Sequence, residues 1–206
     1  MTTRNLTVVT AGLSQPSATR LLADRLAEAT ERGLRERGVT PQIEVVELRD
    51  LAHDLVDNLL TGFPSPALGK SIDKVARADG LIVVTPIFTA SYSGLFKMFF
   101  DVLAPETLVD KPMIIGATAG TARHSLALDH ALRPLFAYLR ALVVPTAVFA
   151  AAEDWGNGDG TSTRALADRV DRAAAELVPL VAARESQGPL DAFDSLTPFE
   201  QLLSSG

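Results

Sequence analysis

The chain of 206 residues contains no cysteine, which excludes disulfides, thiolate metal ligands and cysteine nucleophiles together. It has no basic block either. Its 19 lysines and arginines stand against 25 acidic residues, for a net charge of −6, whereas a nucleic acid partner needs a basic face. Long apolar runs are missing too: the most apolar window, residues 141–152, is interrupted by Pro145 and falls short of the roughly 20 residues of a membrane helix. The first ten residues carry one arginine and no small-residue cleavage pattern, so no signal peptide and a cytoplasmic location are expected.

Several catalytic signatures are lacking as well. There is no metal-ligand cluster, no Gly-x-Ser-x-Gly elbow, and no P-loop or glycine-rich dinucleotide fingerprint. His53 and His130 are isolated in sequence and read as ordinary surface or helix residues. A chain without its own strong acid, base or nucleophile fits a protein that binds a cofactor and lets it do the chemistry.

What is present is a soluble α/β pattern, with 47% of residues apolar. Short apolar strands are expected at residues 6–10, 42–48, 80–85, 113–117 and 143–150. Amphipathic helices lie between them, with a helix over 125–142 and a less regular apolar connection over 49–66. In the first helix, Glu28 with Arg32 and Glu31 with Arg35 stand four apart as ion pairs, and Gly38 ends it. The central strands are apolar throughout, which argues for a parallel sheet covered on both faces. The expectation is one doubly wound, three-layer α/β/α domain over residues 1–186, with five parallel strands in the order 2-1-3-4-5. Residues 187–206 read as a tail, in which Thr197, Pro198 and Glu200 would cap a short docked helix.

In this architecture the loops after strands one, three and four open at the same end of the sheet, where ligands bind. The first, TAGLSQPSAT (residues 10–19), offers the hydroxyls of Ser14, Ser17 and Thr19 and the N–H groups of a helix start, the equipment for one phosphate dianion. Ser17 also reads simply as a helix cap. The second, residues 86–94, combines Pro86, Ser91, Tyr92, Ser93 and Gly94, with Phe96, Phe99 and Phe100 behind it as core or subunit contacts. Its backbone donors and acceptors suit the edge of a flat ring, while Ser93 also reads as a cap and Tyr92 as packing. The third, TAGTARH (118–124), adds Gly120 between small hydroxyl residues, with Arg123 and His124 within reach of a nucleotide's phosphates or simply starting a helix.

These loops together resemble those of the NAD(P)H-dependent FMN reductases of flavodoxin-like fold, and the best-matching piece is TPIFTASYSGLFKMFFD (residues 85–101). The resemblance implies that Ser14, Ser17, Ala18 and Thr19 bind the FMN phosphate. It implies that Pro86, Ile87, Phe88, Ser91, Tyr92, Ser93 and Gly94 line the isoalloxazine, with Thr118, Ala119 and Gly120 at its other edge. Phe88 stands where the family usually has tyrosine, so a hydroxyl there is not part of the mechanism. The family often has an arginine in the phosphate loop, where this chain reads Leu13, Ser14, Gln15, Pro16, and a more readily released FMN is the implied consequence. Hydride would pass from NADH or NADPH to FMN, and the tail is similar to a branch associated with luciferase-like monooxygenases, a partner for the reduced flavin. A homodimer or homotetramer is implied, with residues 52–63 as the contact. Quinone, azo-dye or metal-ion reduction, or a non-catalytic electron carrier, are the alternatives.

Overall fold

The computed structural model describes residues 2–156 and 161–184, so the expected tail, and residues 157–160 of the Gly, Asp and Thr loop that the sequence places over 157–163, lie outside the described residues. In chain order the elements are β1 (Thr2–Thr10), α1 (Ala18–Glu36), β2 (Val39–Glu47), α2 (Ala52–Thr61), α3 (Pro66–Arg77), β3 (Gly80–Phe88), β4 (Ser91–Tyr92) and α4 (Gly94–Asp101). Then follow β5 (Pro112–Ala119), α5 (Arg133–Tyr138), β6 (Leu142–Val143), β7 (Val148–Ala151) and α6 (Thr161–Ala183). The parallel sheet runs β2-β1-β3-β5-β6, with β7 also paired to β5 and the short β4 turned back antiparallel on the end of β3.

This is the expected 2-1-3-4-5 order, with its fifth position shared by β6 and β7 instead of one continuous strand. Pro145 explains the break. Val144 N still donates to Met113 O at 2.9 Å, but proline has no N–H to continue the ladder, and the next amide, Thr146 N, donates to Glu176 at 2.7 Å. β2 starts at Val39 and takes in Pro41, which an edge strand tolerates because its outer N–H needs no partner.

The strands alternate their side chains between two cores. Val9, Leu81, Val83, Met113 and Ile115 face α3, α4 and α5, while Leu6, Val8, Ile82, Val84 and Ile114 face α1 and α6. Phe96, Phe99 and Phe100 are fully buried in the first of these, and Phe100 meets Phe136 edge to face at 4.9 Å. The three phenylalanines are therefore core.

Two expected segments differ. The 49–66 connection contains a regular helix, α2, which buries Leu55 but turns Val56, Leu59 and Leu60 outward: Leu60 is 81% and the following Phe63 79% exposed. The single helix expected over 125–142 is a wider π turn at Leu128–Leu132 running into the short α5, with Pro134 inside the junction removing an amide donor. On α1, Arg35 pairs with Glu31 as expected, whereas Arg32 reaches across to Asp171 of α6 at 2.7 Å. Among the described residues no helix is long and apolar enough to cross a membrane.

Candidate active site

Four loops, one more than the sequence suggested, open at the carboxyl end of the sheet. Those after β1, β3, β5 and β7 enclose a cavity of about 530 Å³, within the roughly 300–1,000 Å³ range of small-molecule sites. Its lining brings together Leu13, Ser14, Ser17, Ala18 and Thr19 from the first loop, Pro86, Ile87 and Phe88 from the second, and Thr118, Ala119 and Gly120 from the third. Ala152 and Trp155, in the turn after β7, complete it.

The first loop is built around its helix start. Ser17 Oγ accepts from Arg20 N at 3.2 Å, so the capping reading holds; the hydroxyl proton remains free to donate outward, and capping does not exclude ligand binding. Gly12 passes directly beneath that hydroxyl: a Cβ there would lie 2.1 Å from Ser17 Oγ. Two residues on, the buried Thr19 and Thr118 hydroxyls share a hydrogen bond of 2.8 Å, which ties the first loop to the third across the sheet.

The second loop works by backbone. Thr89 and Ala90 have φ of 48° and 68°, the signs of a type I′ hairpin turn, which joins β3 to β4. Neither residue is the glycine or asparagine that such a turn favours, so each position is strained. Inside the hairpin, Thr85 Oγ1 accepts from Ser93 N at 3.1 Å, and Ser93 Oγ accepts from Phe96 N at 3.2 Å. Tyr92 packs on Phe96 with ring centroids 5.9 Å apart. Ser93 thus caps α4 and Tyr92 packs, while Ser91, Tyr92, Ser93 and Gly94 are not among the residues that line the cavity.

Ala152 and Trp155 escaped the sequence reading because it took only the loops after the first, third and fourth strands as facing the ligand, and neither residue is polar. The usable signal was a lone tryptophan just after the last strand. Asp154 sets the turn, accepting from Ala151 N at 2.8 Å and from Arg169 at 3.2 Å, and the Arg25 guanidinium lies 4.9 Å from the Trp155 ring centroid. Arg123 and His124 sit exposed in a turn beyond Gly120, outside the cavity lining. A cavity of about 600 Å³ lies beside the first one, lined by residues such as Leu126, Asp129 and Phe149. Its arginines are engaged by the chain itself. Arg133 donates to the Val144 and Pro145 carbonyls and Arg169 to that of Phe149, which covers the outer edge of the broken strand.

Residues 5–156 match the family described as NADPH-dependent FMN reductase. The chain belongs to this family. Among its relatives, the NADH-dependent FMN reductase SfnE of Pseudomonas putida is 37% identical over 183 residues, covering 88% of this chain and 95% of that one. An oxidoreductase from Corynebacterium diphtheriae superposes with a TM-score of 0.86 at 46% identity, over 90% of this chain and all of the other. The apo form of the NADH:FMN oxidoreductase EMOB gives 0.71 at 29% identity, over 84% and 90%. The chain is thus an FMN reductase of flavodoxin-like fold, and the cavity among the four loops lies where such a sheet binds its ligand.

Proposed function

We propose that this protein transfers hydride from NADH or NADPH to FMN held in the cavity among the four loops, with the phosphate on the first loop and the ring between the second and third. The observation that carries this placement is the polarity of the cavity: hydroxyls and a helix N-terminus at one end, and the apolar surfaces of Ile87, Phe88 and Ala119 at the other. Ser14, Ser17 and the amides around Ala18 and Thr19 would donate to the phosphate, aided by the positive end of the α1 dipole. Pro86, Ile87, Phe88 and the 118–120 backbone would hold the ring flat, and Ser91 to Gly94 would support that backbone from behind. Bound FMN supplies the hydride-accepting ring, and the residues around it bind, orient and exclude water.

The same reading extends to partners and place. The reaction would run in the cytoplasm, and the reduced flavin would pass to a monooxygenase. The protein would act as a homodimer or homotetramer, since Val56, Leu59, Leu60 and Phe63 form an apolar surface on and beside α2 that nothing in the described chain covers.

The deciding experiment adds FMN to the purified protein, records the flavin absorbance, and then adds each nicotinamide nucleotide in turn. Bleaching of the flavin with oxidation of NADH or NADPH is the expected result. Failure of both nucleotides would overturn the reductase reading and leave a flavin carrier. Size-exclusion chromatography giving a monomer at micromolar concentration would remove the oligomer.

A further inference from the structure

A phosphate dianion in a partly enclosed site calls for a cation, and residues 10–19 contain none. Two arginines border the loop. Arg20 is already engaged: its Nε donates to Asp24 at 2.7 Å and its Nη1 to Glu47, and the hydrogen bond to Asp24 leads the effects that raise its pKa. Arg49 arrives from the turn after β2 and is placed differently. With the Gln15 amide turned so that its oxygen faces the guanidinium, that oxygen accepts from Arg49 Nη1 at 3.0 Å and also contacts Nη2. Arg49 Nε is buried without a hydrogen-bond acceptor, although Glu47 and Asp50 stand 3.4 Å away. The side chain is only 21% exposed, less than either neighbouring carboxylate.

A guanidinium whose fork rests on a neutral amide, and whose Nε faces two carboxylates at 3.4 Å without a hydrogen bond to either, keeps donors to spare for a mostly buried cation. The neutral amide belongs to Gln15, which lies in the loop between the cavity-lining Ser14 and Ser17. We infer that Arg49, reaching in from the turn after β2, supplies the positive charge for the flavin's phosphate that the first loop itself lacks. This rests on the phosphate placement proposed above. It removes the ground for expecting a readily released FMN, because the charge comes from a different element and not from the loop. It also gives Gln15 a role, as the seat that holds the guanidinium beside the loop.

The test compares FMN with riboflavin, which has the same ring and no phosphate, by titrating wild type and Arg49→Gln and following quenching of Trp155, the single tryptophan. For Arg49→Gln, FMN affinity should fall roughly ten- to a hundredfold, the cost of one charge-assisted contact. Riboflavin affinity should stay within about twofold, as for a substitution remote from the ring. An equal loss for both ligands, or for neither, would overturn the role of Arg49. A wild type that binds riboflavin as tightly as FMN would overturn the phosphate placement itself and this inference with it. If the variant does not fold, the wild-type protein answers the question by arginine-selective phenylglyoxal labelling read by peptide mass spectrometry. FMN but not riboflavin should then shield Arg49, and equal labelling with both would overturn the assignment.

Discussion

The first and second loops bound the same cavity but are built on opposite plans. In the first, side chains face the cavity: Ser14, Ser17 and Thr19 line it, and the backbone of Gly12 makes room for Ser17. In the second, polar side chains turn inward to hold a strained backbone, Thr85 on Ser93 and Ser93 on Phe96, and only Pro86, Ile87 and Phe88 reach the cavity. The difference teaches that similar residues can mark a site directly or hold up the chain that forms it. It also predicts which ligand atoms each loop controls. Changes in the first loop should separate FMN from riboflavin, and changes in the second should affect both alike.

Gly12→Ala should give the largest effect. The new Cβ would lie 2.1 Å from Ser17 Oγ, so the loop must move or the cap must break. Overpacking and a lost cap together cost about 2–4 kcal/mol. Thermal melting should show that loss, and titration should show FMN affinity falling more than riboflavin affinity. An equal fall for the two flavins would break the contrast between the loops.

Thr85→Val tests the other plan. The shape is kept while the buried Ser93 N–H loses its acceptor, at a cost of about 1–3 kcal/mol. FMN and riboflavin should weaken together, because the displaced backbone faces the ring. A selective loss of FMN would show that the second loop reaches the phosphate.

Ala90→Gly approaches the same hairpin from the strain side. At φ of 68° alanine is held in a left-handed conformation that glycine adopts freely. The gain in stability should be about 1 kcal/mol, read as a higher denaturation midpoint, and flavin affinity should not rise. A loss of stability would show that Ala90 makes contacts that outweigh the strain.

How much of this was legible in the sequence follows from the two plans. The apolar runs of β1, β3 and β5 are buried on both faces, so their composition reported a covered parallel sheet, and right-handed crossovers gave its order. The first loop was readable because the side chains it turns to the cavity include the hydroxyls of Ser14, Ser17 and Thr19. Ser91, Tyr92 and Ser93 read as ring contacts, whereas Ser93 caps α4, Tyr92 packs on Phe96 and none of the three is among the cavity-lining residues; no composition rule announces the positive φ of Thr89 and Ala90 that shapes this hairpin. Trp155 reaches the cavity from the turn after β7 and Arg49 reaches Gln15 from the turn after β2, each distant in sequence from its neighbour and brought there because the parallel strands end on the same side of the sheet. The apolar face of α2 was visible, but its outward direction depends on Leu55 and Asn58 being the buried residues of that helix.

The smallest expected effect comes from Phe88, where the two plans meet. It ends β3 at the hairpin and is 47% exposed, with its ring among the cavity residues. If the second loop acts through backbone and apolar surface, a hydroxyl on this ring has little to do. Phe88→Tyr should then change stability by less than about 0.5 kcal/mol, as at other exposed positions. Its kcat and KM for FMN should stay within about twofold of wild type, since the added group can remain in water and removes no packed atom. A tenfold change in kcat with KM unchanged would mean that the hydroxyl touches the reacting atoms. The second loop would then share the side-chain logic of the first, and the distinction between them would fail at the residue best placed to reveal it.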